Sequence, residues 1–252
     1  MAEILFSVKN LVKVFPNGNR GLSGITLDVY SGECVVIAGS NGSGKTLLAL
    51  ILLGLSDPTE GEVRFRDLLS QDAGEALRQQ AGLVFQNADA QIIGETVAED
   101  AGFGPKNRGF PPEEVKRRVR AALEAVGLAD KEEYPPRRLS GGEKRRLAVA
   151  GVLAMGCETL ILDEPFANLD WQGVVRLLRV IRDLKQAGKT LIILTHELEK
   201  VLAFADRLII LHQGRIREDG PPAAVLDRLK DEYGVRDPRS SYTRVEDCTW
   251  LD

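Results

Sequence analysis

The sequence predicts an α/β fold with an antiparallel β start and an inserted helical segment, and three observations predict it. The apolar run Cys34-Val35-Val36-Ile37-Ala38, a glycine-rich turn and the apolar run Leu47–Leu53 follow one another directly, as a buried strand, a loop and a helix. Two more short runs, Thr159–Leu162 and Thr190–Leu194, are continuously apolar, as strands covered on both faces are. Residues 87–158 carry helix-period patterns in place of strand patterns, which predicts a helical insertion between those strands.

In chain order, Leu5–Phe15 alternates loosely as a strand, Pro16-Asn17-Gly18-Asn19 is a turn, and Leu22–Val29 is a second strand. After the helix at 47–53, Pro58-Thr59-Glu60-Gly61 is a turn and Glu62–Phe65 a short strand. Residues 70–81 are predicted as a polar helix, and Gly82–Gln86 as a strand ending on a glutamine. Pro111-Pro112-Glu113-Glu114 starts a helix to Val126, with Val115, Val119, Ala122, Leu123 and Val126 on one face. Gly142–Met155 is a further helix, Trp171–Ala187 an amphipathic one closed by Gly188, and 197–204 a short one. Arg207–Leu211 is a strand, Gly214 turns the chain back through Ile216-Arg217-Glu218, and Pro221-Pro222 opens a last helix before a polar tail.

A chain of 252 residues holds one large domain or two small ones, and its 44% apolar and 28% charged residues suit a globular core. The net charge of -4 argues against nucleic acid as the main partner. Cys34, Cys157 and Cys248 are too dispersed for a disulfide framework or a paired-cysteine metal site, and Cys34 reads as a small core residue. Met1–Phe6 has no basic region followed by an apolar one, so no signal peptide is expected, and no run approaches the ~18 apolar residues of a membrane span. A cytosolic protein is expected, reaching any membrane process by docking.

Gly39-Ser40-Asn41-Gly42-Ser43-Gly44-Lys45-Thr46 fits G-x-x-x-x-G-K-[ST], the Walker A phosphate loop. Its glycines let successive N–H groups turn toward an anion, and the following helix N-terminus adds partial positive charge. Lys45 can reach the β- and γ-phosphates, and the Thr46 hydroxyl can ligate Mg²⁺. In a parallel sheet, ligands bind beyond the C-terminal strand ends. Three other such ends carry polar groups: Asp163-Glu164, Thr195-His196 and Gln86. Asp163 can hold Mg²⁺, Glu164 can orient an attacking water, and His196 can sense a γ-phosphate. His212 has no such setting and reads as structural. Ser140-Gly141-Gly142-Glu143 has two readings: a capping box that starts a helix, or a second anion site made of a hydroxyl, glycine N–H groups and a helix dipole.

Taken together, residues 4–230 resemble the ATP-binding cassette (ABC) ATPases. Gly39–Thr46 matches Walker A, Gln86 the Q-loop, Leu139–Glu143 the signature, Leu160–Asp163 Walker B, Glu164 the catalytic glutamate, Asn168-Leu169-Asp170 the D-loop and His196 the switch histidine. The motifs fall in the family's order. The resemblance implies an ATPase using ATP and Mg²⁺, with Thr46, Gln86 and Asp163 toward the metal and Lys45, Gln86, Glu164 and His196 as catalytic groups. It implies a head-to-tail dimer in which Ser140, Gly141 and Gly142 of one chain close the nucleotide held by the other. Phe15 stands at the adenine-stacking position, where Tyr is frequent, and Glu143 where Gln is commonest. It also implies one ABC ATPase domain over 1–232, with a RecA-like core and antiparallel β subdomain about 1–86 and 159–232, a helical subdomain about 87–158, and a tail at 233–252.

Val84-Phe85-Gln86-Asn87-Ala88-Asp89-Ala90-Gln91-Ile92-Ile93, then Glu95–Asp100 and Gly102–Pro105, is similar to the energy-coupling factor importer ATPases, which serve uptake of vitamins, cobalt or nickel. Ala88 and Ala90 depart from that family's usual Pro and Asn. The similarity implies integral membrane subunits docking near 87–105 and a peripheral place on the cytoplasmic face of the membrane; a plain linker is the alternative reading of that stretch. The interval from Lys45 to Ser140 has no heptad run and no Cys pair, which disfavours a DNA-repair ATPase. A single Walker A and a single signature disfavour a tandem translation-associated cassette protein.

Overall fold

Residues 3–70 and 72–239 are described in the structure, a computed structural model. The expected tail thus lies outside the described residues from 240 onward, as does Cys248.

In chain order the elements are β1 (Ile4–Val14), β2 (Arg20–Tyr30), β3 (Cys34–Ala38), α1 (Lys45–Leu52), β4 (Glu60–Phe65), β5 (Leu68–Leu69), α2 (Gly74–Gln80) and β6 (Ala81–Val84). There follow α3 (Val97–Asn107), α4 (Pro112–Val126), α5 (Gly141–Met155), β7 (Thr159–Asp163), α6 (Trp171–Gln186), β8 (Thr190–Thr195), α7 (Leu198–Val201), β9 (Arg207–His212), β10 (Arg215–Gly220) and α8 (Pro222–Leu226).

The strands form an antiparallel sheet in the order β2-β1-β4-β5 and a six-stranded sheet in the order β10-β9-β3-β8-β7-β6. In the second sheet only β10 runs antiparallel, paired with β9. The parallel strands explain the unbroken apolar runs, because both of their faces are buried. Val35, Ile37, Ile161, Ile192 and Leu194 point into a core shared with α1 and the antiparallel sheet. Val36, Ala38, Leu160, Leu162, Leu191 and Ile193 point into a second core shared with α3 to α6. Register aligns the strand ends: Ala38 lies opposite Thr195, and Asp163 opposite Leu194.

The α4 face is the expected one, Val115, Val119, Ala122, Leu123 and Val126 all being buried. Other expectations change. The helix expected over 70–81 is confined to Gly74–Gln80, because Leu68-Leu69 pairs with Arg64 and Phe65 as an extra strand and the Ala73 N–H donates to the Leu69 carbonyl. The strand expected to end on Gln86 stops at Val84, leaving Gln86 exposed two residues beyond it. The helix expected over 197–204 is α7 followed by a 3₁₀ turn at Leu202–Phe204. Helix α3 has no counterpart among the sequence-based assignments. Its internal Pro105 and two glycines hide the period, yet Thr96 and Glu99 form a full capping box at its start, a readable signal.

Candidate nucleotide-binding site

The phosphate loop is shaped by close backbone approach. A Cβ on Gly39 would lie 2.1 Å from the Leu211 carbonyl, so only glycine lets the loop leave β3 beside β9. Gly44 caps α1 with φ 108, a conformation that costs a side-chain-bearing residue dearly. The loop closes on itself through Ser43 N–H to the Ser40 carbonyl (3.1 Å), while Gly214 N–H donates to the Ser43 carbonyl (3.0 Å). Lys45 is buried, and its Nζ donates to the Gly39 carbonyl at 2.7 Å and the Ser40 carbonyl at 3.2 Å. The same ammonium lies 3.5 Å from Glu164 Oε1.

Thr46 links α1 to β7, its hydroxyl donating to Asp163 Oδ2 at 2.6 Å. Asp163 is 1% exposed, and its Oδ1 has no hydrogen-bond partner. Burial, with the neighbouring Glu164 charge, pushes its carboxyl above the ordinary Asp range despite the Thr46 bond. Glu164 is also buried and sits at φ 46, an uncommon conformation for a residue with a side chain. Its N–H donates to the Leu194 carbonyl at 2.8 Å. Its carboxylate accepts from the Thr195 hydroxyl at 3.3 Å, and both oxygens lie 3.0 Å from His196 Nδ1. The ends of β3, β7 and β8 therefore join Lys45, Thr46, Asp163, Glu164 and His196 in one connected polar set.

The residues fit a bound nucleotide and a hard divalent ion. Ser43 Oγ and Asp163 Oδ1 are buried polar atoms in want of partners, and Gly42 (φ 78) opens onto free space. Thr46 and Asp163 offer the oxygen donors that Mg²⁺ takes, one carboxylate being enough for an ion that keeps most of its water. Phe15 is 41% exposed, and its ring and Leu47 of α1 both approach Gly21. The side chain of Gln86 is not among the bonded groups of the set. Only its backbone carbonyl is tied to it, through Arg145.

Ser140, Gly141 and Gly142 stand apart from this set. Ser140 caps α5 in a full capping box: its hydroxyl accepts from Glu143 N–H at 3.3 Å, and its N–H donates to Glu143 Oε2 at 2.9 Å. Lys131, hydrogen-bonded to Glu143, holds that carboxyl below its ordinary range. The structural reading of the motif is therefore satisfied within the chain, while its outer side stays open. Ser140–Gly142 lines a polar cleft of ≈ 820 Å³ with Lys131, Arg146, Asp170 and Arg176. Gly142 abuts the 168–170 turn, where a Cβ would lie 3.2 Å from Leu169 Cδ2, and Asp170 caps α6 by accepting from Gly173 N–H at 2.7 Å.

Two residues escaped sequence reasoning. Arg145, 4% exposed, donates to the carbonyls of both Glu164 and Gln86, joining α5 to two strand ends. Its signal was faint, an Arg-Arg pair at 145–146 on a helix whose other neighbours are apolar. Gln91 extends the β6 edge by accepting from Phe85 N–H and donating to the Leu83 carbonyl, both at 3.0 Å, and nothing in sequence spacing announces it.

A phosphate loop between a central parallel strand and a helix, with an acidic pair ending the strand two places along, defines a P-loop nucleotide-binding protein. Residues 22–167 match the ABC transporter family. The energy-coupling factor transporter ATP-binding protein EcfA of Methanocaldococcus jannaschii is 42% identical over 243 residues, covering 94% of this chain and 87% of the relative. CbiO1 from Clostridium perfringens, a part of the ABC transporter complex CbiONQ, superposes with a TM-score of 0.80 at 33% identity, covering 91% of this chain and 92% of that one. The ATP-binding cassette MJ0796, solved as a dimer in a post-hydrolysis state bound to ADP and Pi, superposes with a TM-score of 0.78 at 28% identity, covering 86% and 98%. The chain belongs to the ABC transporter family and is one of its ATPases. Among the described residues no helix is long and apolar enough to cross a membrane.

Proposed function

We propose that this chain is the ATP-binding and ATP-hydrolysing subunit of an energy-coupling factor importer, where it couples closure of a cassette dimer to uptake of a metal ion or vitamin. The observation that carries the reading is the connected set of Lys45, Thr46, Asp163, Glu164 and His196 at the ends of β3, β7 and β8. The likeness to EcfA supports the importer type.

In this reading the 39–46 loop cradles the phosphates, Lys45 exchanges its carbonyl partners for phosphate oxygens, and Phe15 stacks on the adenine. Thr46 and Asp163, with Gln86 alongside, would hold Mg²⁺, which would supply neutralisation of phosphate charge. Glu164 orients the attacking water and accepts its proton. Thr195 and His196 hold that carboxylate, and the exposed His196 would contact the γ-phosphate. Ser140, Gly141 and Gly142 close the site of a second cassette through the cleft they line. Membrane subunits dock near 87–105, where Ile93 (60%) and Phe103 (49%) are apolar and exposed. In this reading the chain sits at the cytoplasmic face of the membrane, and no nucleic acid is expected as a partner. The body at about 1–86 and 159–232 would carry the nucleotide, and the helical part at about 87–158 would relay closure.

The test is Glu164→Gln. It is expected to retain ATP, hydrolyse it about 10²-fold or more slowly, and elute as an ATP-dependent dimer. Turnover at the wild-type rate overturns the reading of Glu164.

A further inference from the structure

After α8 the chain returns to the phosphate loop. Asp231–Tyr233 forms a 3₁₀ turn, and Gly234 follows at φ 64. Tyr233 and Val235 are 5% and 6% exposed, buried in the same core as Ala38 and Ile210. The Tyr233 ring lies 5.8 Å from the ring of His212, the last residue of β9. Gly234 is pressed onto the loop itself: a Cβ there would sit 3.0 Å from the Cβ of Ser40. Ser40 in turn accepts from Lys45 Nζ and from Ser43 N–H through its carbonyl. The loop is thus walled by Leu211 at Gly39, by the Gly214 amide at Ser43, and by the C-terminal segment at Ser40.

A glycine-rich loop has much conformational freedom to lose when it is fixed. An anion site on such a loop binds well only if something else has already fixed it. One of these walls is strand β9 and one is the turn that joins β9 to β10. The third is the short segment that leaves the 3₁₀ turn at Asp231–Tyr233, and it is seated by the Tyr233 ring and the Val235 side chain.

We propose that Tyr233-Gly234-Val235 is a positioning strap for the phosphate loop, which it braces at Ser40 from its seat on His212 and so sets the affinity for nucleotide. The proposal rests on the reading of Gly39–Thr46 as the nucleotide site. Tyr233 and Gly234 touch no reacting atom; they act through Ser40. The relation is reciprocal, so nucleotide that tightens on the loop also tightens the strap.

The test uses the full chain and ATP titrated calorimetrically in the presence of Mg²⁺. Gly234→Val puts a β-branched side chain at a left-handed position already short of room and is expected to weaken ATP about tenfold; Tyr233→Ala should do likewise, and Tyr233→Phe, which keeps the ring, should stay within about twofold. Val225→Ala, in the same core but on α8, should lower Tm without moving the ATP affinity. Amide exchange on the wild-type chain supplies a readout free of folding defects, with exchange over 231–239 expected to slow on adding ATP. Wild-type affinity in both Gly234→Val and Tyr233→Ala, an equal loss in Val225→Ala, or unchanged exchange over 231–239 overturns the strap. Failure of the wild type to bind ATP, or binding unaffected by Lys45→Ala, overturns instead the nucleotide-site reading and the strap with it.

Discussion

Arg145→Ala tests whether Glu164 is held in place from behind. The guanidinium is buried and makes charge-assisted hydrogen bonds to two carbonyls, those of Glu164 and Gln86. Burial depresses its pKa, and the Asp163 and Glu164 charges oppose that; a guanidinium stays protonated in proteins, so the group is a cation beside two carboxyl groups. Hydrogen bonds to charged groups contribute about 1.5–3 kcal/mol each, and removing the cation recovers part of its desolvation cost, which leaves a net loss of about 2–3 kcal/mol. The kinetic effect should exceed what that stability loss alone would cause. Glu164 is held at φ 46, a conformation that costs about 1–3 kcal/mol and persists only where its surroundings enforce it. With its carbonyl released, the peptide can relax and carry the carboxylate away from His196 Nδ1. A loss of about 2.7 kcal/mol from transition-state stabilisation is a 10²-fold fall in kcat. ATPase kinetics and thermal melting on the same samples are the assay, with kcat falling about 10²-fold and KM for ATP changing little. Arg145→Lys, which has the charge but not the fork, should recover only part of the rate. A wild-type kcat in Arg145→Ala, or a fall confined to KM, refutes this role for Arg145.

Asp163→Asn should raise Tm at neutral pH in nucleotide-free protein, because a carboxyl whose folded pKa is raised stabilises the fold below its unfolded pKa and loses that contribution as pH climbs through the folded one. The wild-type Tm should accordingly fall relative to the variant across that window; parallel curves would contradict the assignment. Cys34 is fully buried with its thiol pushed up to about 12, and Cys157 is raised as well, so iodoacetamide at pH 8 should label neither until the chain is unfolded, as read by peptide mass spectrometry. Gly39→Ala should destabilise the fold and abolish ATP binding, since its Cβ would collide with the Leu211 carbonyl; a wild-type melt would show that β9 can yield there.

The sequence showed the site more fully than it showed the local structure around it. Gly39–Thr46, Asp163, Glu164 and His196 are legible because each follows an apolar strand, and parallel strands in register bring such endings to one edge. Gln86 was legible as a motif but not as geometry, because Gln91 completes the edge of β6 where Gln86 was expected to end it. Helix α3 was hidden because Pro105 and its glycines defeat periodicity, and its stability rests on the Thr96–Glu99 cap and on packing against α4 and α5. Arg145 and Gly234 were illegible for a different reason. Their partners are backbone atoms or small side chains remote in sequence, and no local pattern encodes a carbonyl's need for a donor.

The bonds around Lys45 also bear on why Glu164→Gln should retain ATP. The ammonium is satisfied by two loop carbonyls and by the Glu164 carboxylate at 3.5 Å. Phosphates must therefore take Lys45 from partners it already has, so the net gain is smaller than a bare ammonium would give. They must also approach two buried carboxyl groups, Asp163 and Glu164, of which the second carries no metal in the proposed mechanism. Replacing Glu164 by Gln removes one anion from beside the incoming phosphates and one competitor for Lys45. Both changes favour binding, independently of the loss of the base. Glu164→Gln should then bind ATP more tightly than wild type even as Ser140→Arg Glu164→Gln, a double variant whose signature substitution obstructs the second chain. Titration of that monomer against Ser140→Arg alone is the measurement. Equal affinities would locate the retention of ATP wholly in slow hydrolysis and in the dimer, and leave the Lys45–Glu164 pair no part in it.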